Sequence, residues 1–234
     1  MRKTDGRQAS ALVLFDIDGT LLRRAGPHHR EALVEAVRKV AGIEAPIGHI
    51  PVQGMLDQDI LTVMLRDAGV PDRLIRKWMP LLVRRAQWIY ARRCPEDLTE
   101  KVCPGVGPFL ESMRRAGAMA GLVSGNLTRI GWKKMERAGL KRYFRFGSFA
   151  ERGPTRGHLV KMAIREARAK GWVARTAPVA LIGDHPNDIR AARENGVIAV
   201  AVATGIATRE ELAAHRPDFL LDDLRQATLS GLLW

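Results

Sequence analysis

The sequence is poor in cysteine, aromatic residues and acidic residues, and it contains no long apolar run. Only Cys94 and Cys103 are cysteines, and no histidine lies near them, so reduced thiols are favoured over a zinc site or a structural disulfide. No stretch approaches the ~20 consecutive apolar residues that cross a bilayer, and residues 1–6 lack an apolar signal core. We therefore expect a cytoplasmic protein with no membrane partner.

The deficit of acidic residues leaves a formal net charge of +13 on 234 residues. Much of the excess lies in residues 128–175, where fourteen lysines or arginines face three acids, Glu136, Glu151 and Glu166. Such a surface attracts anionic ligands and binds nucleic acid non-specifically. Because aromatic residues make up only 6% and no zinc-finger spacing occurs, a dedicated nucleic-acid function is not expected. We interpret the segment as a solvated basic surface.

The most informative motif follows an apolar run that ends at Phe15. It reads Asp16-Ile17-Asp18-Gly19-Thr20, with two carboxylates, a glycine and a hydroxyl at the end of a predicted buried strand. This oxygen-rich arrangement suits a hard cation and a phosphate. Gly19 lets the chain turn, so that one carboxylate can attack while the other transfers protons. An ordinary Asp-Gly turn is the alternative.

The rest of the chain alternates strands and helices around one helical insertion. Residues 24 to about 100 show helical periodicity, with Pro80 expected in a first helical turn and Trp78 and Trp88 in the core of the insertion. From residue 104 onwards, apolar strands alternate with helices. This pattern is typical of an α/β fold with a parallel sheet covered on both faces.

Polar residues follow three of the predicted strands at the point where each strand ends. Ser124 and Asp184 do so as Asp16 does, and Asp188 comes one helical turn after Asp184. Because the carboxyl ends of parallel strands meet at one crevice, we expect these side chains to lie close together. Helix capping is the alternative interpretation of Asp184 and Asp188.

Three segments, Asp16 to Leu21, Leu122 to Asn126, and Gly183-Asp184 with Asp188, resemble the ordered motifs of the haloacid dehalogenase superfamily of phosphohydrolases. The helical insertion resembles the cap of the phosphoglycolate phosphatase-like branch, and Gly54 with Asp57 resembles a loop of that cap. The resemblance implies a Rossmann-like core formed by residues 1–23 and 103–234, with an all-helical cap domain formed by residues 24–102.

The resemblance also implies bound Mg²⁺ and an aspartyl-phosphate intermediate. Asp16 would be the nucleophile, and Asp18 would protonate the leaving group and then activate water. Mg²⁺ would be held by the Asp16 carboxylate, the Asp18 backbone carbonyl, Asp184, and Asp188 directly or through water. For the Asp18 carboxylate, the expected partner is the backbone or Thr20.

Phosphate-binding residues follow from the same resemblance: Thr20, Ser124, Gly125, Asn126 and Arg156. The family usually supplies a lysine, often before a proline, between its second and third motifs, and no Lys-Pro occurs here. Arg156 is the first choice for that position because a guanidinium can bridge phosphate and carboxylate. Arg152 and Lys161 are the alternatives.

These residues together predict an Mg²⁺-dependent phosphatase that hydrolyses a small phosphorylated metabolite. The family suggests 2-phosphoglycolate as a substrate, although the residues do not specify the ester. Two alternatives remain open: phosphoryl transfer of the phosphosugar mutase type, and a non-catalytic binding protein on the same fold.

Overall fold

Six parallel strands form one sheet in a computed structural model that describes residues 8–23 and 26–233. They are β1 (Leu12–Phe15), β2 (Met119–Val123), β3 (Phe144–Ser148), β4 (Val179–Gly183), β5 (Ile198–Val202) and β6 (Phe219–Leu221). Their order in the sheet is β3-β2-β1-β4-β5-β6, and β1 and β4 are buried at every position. The predicted α/β fold with a parallel sheet is confirmed.

Helices precede and follow these strands along the chain. They are α1 (His28–Ala41), α2 (Asp57–Asp67), α3 (Asp72–Arg93), α4 (Val106–Arg115), α5 (Thr128–Arg137), α6 (Arg156–Ala169), α7 (Pro186–Glu194), α8 (Arg209–Ala214) and α9 (Leu229–Leu233). The order of β2 to β5 and α4 to α7 is the alternation that the apolar pattern predicts. The short helices α8 and α9 were not predicted.

The helical insertion consists of α1, α2 and α3, and α1 packs against α3. The two chain segments that join the insertion to the sheet run side by side. Leu22 and Val102 form an antiparallel bridge, and the amide of Cys103 donates to the carbonyl of Leu21 at 2.9 Å. The division into a 24–102 cap and a core stays a prediction, and its first boundary falls at residues 24 and 25, outside the described residues.

Two expectations about α3 are wrong. Pro80 lies inside this 22-residue helix rather than in a first turn, so the chain gives up one backbone hydrogen bond there. The helix continues because Ile75, Leu82 and neighbouring side chains are buried on either side of the proline. Trp88 is 48% exposed instead of forming part of the core, and the guanidinium groups of Arg85 and Arg92 lie over its ring. Trp78 is partly buried.

Within the described part of the chain, no helix is both long and apolar enough to span a membrane. Cys94 and Cys103 are buried, and no disulfide joins them. The predicted absence of a signal core concerns residues 1–6, which lie outside the described residues.

Candidate active site

The three strand ends that carry the predicted site residues are neighbours in the sheet. β1 is the central strand of the three, with β2 on one side and β4 on the other. Asp16, Ser124 and Asp184 directly follow these strands, and all three are buried. Parallel pairing therefore brings residues that are far apart in sequence to one edge of the sheet.

Three carboxylates form a buried cluster at this edge. One oxygen each of Asp16, Asp184 and Asp188 lies within 4.8 Å of the others. Asp188 lies in the first turn of α7, where its Oδ2 accepts a hydrogen bond from the backbone amide of His185 at 3.2 Å. The capping interpretation therefore accounts for one oxygen of Asp188, while the other faces the cluster.

Arg156 lies against this cluster at the start of α6. It is only 6% exposed, and its Nη1 lies 3.1 Å from Asp16 Oδ1 and 3.0 Å from Asp188 Oδ1. Burial alone would lower the pKa of Arg156, but the carboxylates of Asp16 and Asp188 raise the pKa above its ordinary value. Of the two alternatives, Arg152 pairs with Glu166 and Lys161 is exposed. Only Arg156 of the three contacts the cluster.

The carboxylate cluster carries more negative charge than its protein partners neutralise. Burial, followed by repulsion from Asp16 and Asp188, raises the pKa of Asp184 well above its ordinary value. Burial raises the pKa of Asp188 to about 7, although Arg156 opposes that shift. Among the described residues, Asp16 Oδ1 and Asp188 Oδ1 have no hydrogen-bond partner of good geometry. These three residues, which offer oxygen ligands only, fit a hard divalent cation such as Mg²⁺.

Thr20 contacts the carboxylate cluster rather than Asp18. Its hydroxyl donates to Asp184 Oδ1 at 3.0 Å, so the expected pairing of Thr20 with Asp18 is wrong. The turn at Gly19 explains the difference. This glycine has a φ of 85°, and a Cβ there would collide with the Asp184 carboxylate. The chain therefore turns so that Thr20 and Asp184 meet, while the Asp18 side chain points to different partners.

The partners of Asp18 are Lys134 and Asn126. Lys134 Nζ lies 2.7 Å from Asp18 Oδ1 and 2.6 Å from Oδ2, and Asn126 Nδ2 donates to Oδ2 at 2.7 Å. Burial would raise the pKa of Asp18, but the positive fields of Lys134 and His29 and these hydrogen bonds lower the pKa below its ordinary value. The side chain is nevertheless 41% exposed, so one face of the carboxylate is open.

Asn126 joins Asp18 to the end of β2. Its Nδ2 also lies 2.9 Å from Ser124 Oγ, and its Oδ1 accepts from Lys134 Nζ at 2.7 Å. Both ends of the Asn126 amide are thus engaged within the protein. These contacts fix Asn126 beside Asp18 and Ser124, and its predicted role in phosphate binding stays a prediction.

The contact of Lys134 with Asp18 is not among the sequence predictions, because residues 128–175 are interpreted there as a solvated basic surface. Lys134 is 1% exposed, and Arg156 is buried as well, so that interpretation is wrong for two of the fourteen basic residues. A signal was present in α5: Lys134 follows Ile130 by four residues and precedes Met135, and those two residues are buried. It therefore lies on the apolar face of its helix.

The helical insertion contacts this network through Asp57 and His29. The Asp57 amide donates to the Gly125 carbonyl at 2.8 Å, and Asp57 Oδ2 accepts from the Leu127 amide at 2.8 Å. His29 Nε2 lies 2.9 Å from Asp57 Oδ2, and His29 Nδ1 lies 3.2 Å from Lys134 Nζ. The insertion therefore packs directly on the loop that follows β2.

A second contact joins the insertion to the end of β4. Asn187 Nδ2 donates to the carbonyl of Gly54 at 2.9 Å. His185 caps α7, because its Nδ1 accepts from the Asn187 amide at 3.2 Å. The His185 ring also lies so close to Gly54 that a Cβ there would collide with it. The loop before α2 thus lies over the ends of β2 and β4.

The sequence of residues 11–196 matches the family model of the haloacid dehalogenase-like hydrolases. A phosphoglycolate phosphatase of Synechococcus elongatus is 30% identical over 229 residues, which cover 92% of this chain and 95% of the relative. β-Phosphoglucomutase of Clostridium difficile has the same fold, with a TM-score of 0.72 and 18% identity. The match covers 96% of this chain and 95% of the mutase. CbbY of Rhodobacter sphaeroides in complex with xylulose-1,5-bisphosphate also has this fold. Its TM-score is 0.71 and its identity 19%, and the match covers 97% of this chain and 100% of CbbY. These matches confirm the predicted enzyme class, a phosphatase acting on phosphoric monoesters. The chain belongs to the haloacid dehalogenase-like hydrolase family.

Proposed function

We propose that the protein is an Mg²⁺-dependent phosphatase that hydrolyses a small phosphorylated metabolite through an aspartyl-phosphate intermediate. The observation that carries the proposal is the buried set of Asp16, Asp184 and Asp188, with Arg156 bridging Asp16 and Asp188. This arrangement supplies a carboxylate nucleophile, ligands for a hard cation and a fixed positive charge at one place.

In the first step, an Asp16 carboxylate oxygen attacks phosphorus and the ester oxygen leaves, which forms the aspartyl-phosphate. Arg156 orients that carboxylate and contacts a phosphoryl oxygen. Its contact with Asp16 supports this role. The Ser124 hydroxyl and the Gly125 amide donate to the remaining phosphoryl oxygens. For Ser124, the position after β2 supports the assignment.

Asp18 transfers the protons. It donates one to the leaving ester oxygen and later accepts one from the water that hydrolyses the intermediate. Two observations support the assignment of proton transfer to Asp18 and of nucleophilic attack to Asp16. The Asp18 carboxylate has an open face, and it pairs with Lys134 and Asn126 rather than with the carboxylate cluster. Thr20 holds Asp184 in this scheme, and any contact of Thr20 with phosphate stays a prediction.

The carboxylates of Asp16, Asp184 and Asp188 would hold Mg²⁺, with the backbone carbonyl of Asp18 as a further predicted ligand. When bound, the ion neutralises phosphate charge that would otherwise repel a carboxylate nucleophile. Two buried oxygens support this assignment, Asp16 Oδ1 and Asp188 Oδ1. Neither has a hydrogen-bond partner of good geometry among the described residues.

A small substrate is supported by the loop that covers the strand ends. This loop is fixed by the contacts of Asp57 with Gly125 and of Gly54 with Asn187. A covered site excludes water during transfer and limits the size of the leaving group. Several relatives are named phosphoglycolate phosphatases, so 2-phosphoglycolate is the first substrate to test. A cytoplasmic location stays a prediction from the sequence.

The test is hydrolysis of p-nitrophenyl phosphate with Mg²⁺ and with EDTA, followed by a panel of glycolyl, sugar and nucleotide phosphates. We expect Mg²⁺-dependent release of inorganic phosphate by the wild type, and loss of that release in Asp16→Asn. Equal activity of the wild type and Asp16→Asn would refute the phosphatase proposal. Conversion of a sugar phosphate into its isomer with no release of phosphate would instead indicate a mutase.

A further inference from the structure

A protonated lysine is costly to bury unless its three N–H groups find partners. Lys134 is 1% exposed and lies on the buried face of α5. Its Nζ contacts both oxygens of Asp18 and Asn126 Oδ1 at 2.6–2.7 Å, which accounts for all three N–H groups. The phosphatase scheme proposed above assigns no task to this residue.

The contacts of Lys134 form a closed arrangement around Asp18. Lys134 donates to Asp18 and to Asn126, and Asn126 donates to Asp18 Oδ2. A carboxylate held by two donors, which also contact each other, has little freedom to rotate. Because its side chain is 41% exposed, Asp18 keeps an open face while the other face is fixed.

Lys134 also balances the charge of the site. When all four are ionised, Asp16, Asp18, Asp184 and Asp188 contribute four negative charges, and Arg156 and Lys134 contribute two buried positive charges. Arg156 contacts Asp16 and Asp188, whereas Lys134 contacts Asp18. A divalent cation at the three-carboxylate cluster would bring the sum to zero before phosphate enters. Each buried cation therefore serves a different half of the site.

Beyond Asp18, the network continues into the helical insertion. His29 Nδ1 lies 3.2 Å from Lys134 Nζ, and His29 Nε2 lies 2.9 Å from Asp57 Oδ2. The two ring nitrogens of His29 therefore face different groups, the Asp57 carboxylate on α2 and the Lys134 ammonium group on α5. His29 thus links the position of the lysine to α1 and α2.

We propose that Lys134 is the positioning residue of Asp18: it fixes the proton-transferring carboxylate at the crevice and, through His29, makes that position depend on the docked helical insertion. The proposal rests on the proposed function, because it assumes that Asp18 transfers protons. It predicts that Lys134 acts only through Asp18, and that its loss slows the chemical step without weakening substrate binding.

The experiment is a double-mutant cycle of Lys134→Met and Asp18→Asn, with Lys133→Met as the matched control. Lys133 is the adjacent lysine on the same helix and pairs with Glu136. Initial rates are measured with p-nitrophenyl phosphate over a range of concentrations, so that kcat and KM are obtained separately. Circular dichroism and Tm verify that each variant is folded.

We expect Lys134→Met to lower kcat by about 10–100-fold, with a KM within about threefold of the wild type. In the Asp18→Asn variant, Lys134→Met should alter kcat by less than about twofold, because the carboxylate that Lys134 positions is already absent. Lys133→Met should match the wild type.

An equal loss of kcat on adding Lys134→Met to the wild type and to the Asp18→Asn variant would overturn the proposal. If Lys134→Met does not fold, His29→Ala tests the same link without removing the buried charge. It should lower kcat by about fivefold or more in the wild type and not in Asp18→Asn. An equal loss in both backgrounds, or none, overturns the proposal. Activity of Asp16→Asn equal to the wild type would instead refute the phosphatase scheme.

Discussion

Arg156 Nη1 lies 3.1 Å from the carboxylate of Asp16, the predicted nucleophile, inside a site where both side chains are buried. The same nitrogen lies 3.0 Å from Asp188. A guanidinium can contact several oxygens at once in a fixed plane, which a lysine ammonium cannot do. Arg156 therefore holds two carboxylates of the cluster in a fixed relation and stays charged at every pH of interest.

Replacing Arg156 should show how much of the activity depends on this contact. We expect Arg156→Met to lower kcat by about 10²–10³-fold, because a donor to the transferring phosphoryl group and the orientation of Asp16 are lost together. Arg156→Lys should recover only part of the loss. Steady-state kinetics with p-nitrophenyl phosphate gives the measurement, with Lys161→Met, an exposed change on the same helix, as control. Activity of Arg156→Met within about threefold of the control would contradict the assignment.

Metal binding and pH should be coupled through Asp188. Its pKa is raised to about 7, so the metal-free folded chain holds a proton there that the unfolded chain loses at about pH 4. The folded state therefore binds more protons between those values, and the free energy of unfolding contributed by Asp188 falls as pH rises through that window. Mg²⁺ competes with this proton, so it should stabilise the protein more at about pH 8 than at about pH 5.5.

Thermal unfolding with Mg²⁺ and with EDTA measures this coupling. An Mg²⁺ concentration about ten times its Kd adds ~1.4 kcal/mol, which raises Tm by about 3–6 °C for a chain of this length. We expect that rise at the higher pH, a smaller rise at the lower pH, and almost none in Asp188→Asn. Asp222→Asn, which removes an exposed carboxylate paired with Arg209, is the control. An equal rise in Asp188→Asn and in the control would show that the ion binds elsewhere.

The strand-end rule explains why much of the site could be predicted from the sequence. Asp16, Ser124 and Asp184 each follow an apolar run, and parallel pairing of β1, β2 and β4 suffices to bring them together. The meeting of these three residues is a consequence of topology, which the order of strands and helices largely determines. Arg156 was anticipated from the family resemblance instead, because it opens a helix between the second and third motifs, where that family usually supplies a lysine.

The partners of Asp18 could not be predicted in the same way. They depend on the turn at Gly19, which directs Thr20 towards Asp184 and leaves Asp18 facing α5. A side-chain direction after a glycine turn is not fixed by strand periodicity. The burial of Lys134 was readable from its helical spacing, but the high local charge suggested a solvated surface. The charge averaged over residues 128–175 thus did not indicate that Lys134 faces the interior.

Gly125 should tolerate no side chain, because it lies against the loop before α2. A Cβ at this position would collide with the backbone carbonyl of Met55. We expect Gly125→Ala to displace that loop and to lower kcat/KM by about 10–100-fold, because small errors in the position of a catalytic loop are costly. Gly107→Ala is the control, since a Cβ on Gly107 meets nothing within 4 Å. Wild-type kcat/KM in Gly125→Ala would mean that the loop contact has no part in catalysis.

Asp57 should contribute to stability as well as to activity, because its buried carboxylate accepts from the Leu127 amide and contacts His29. Removing the acceptor leaves a buried N–H group without its partner, at a cost of about 1–3 kcal/mol. For a chain of this length we expect Asp57→Ala to lower Tm by about 2–12 °C. Asp59→Ala, an exposed acid in the same helical turn, should change Tm far less. Of the two carboxylates, only that of Asp57 contacts the loop that follows β2. Equal Tm values of the two variants would show that Asp57 does not stabilise this contact.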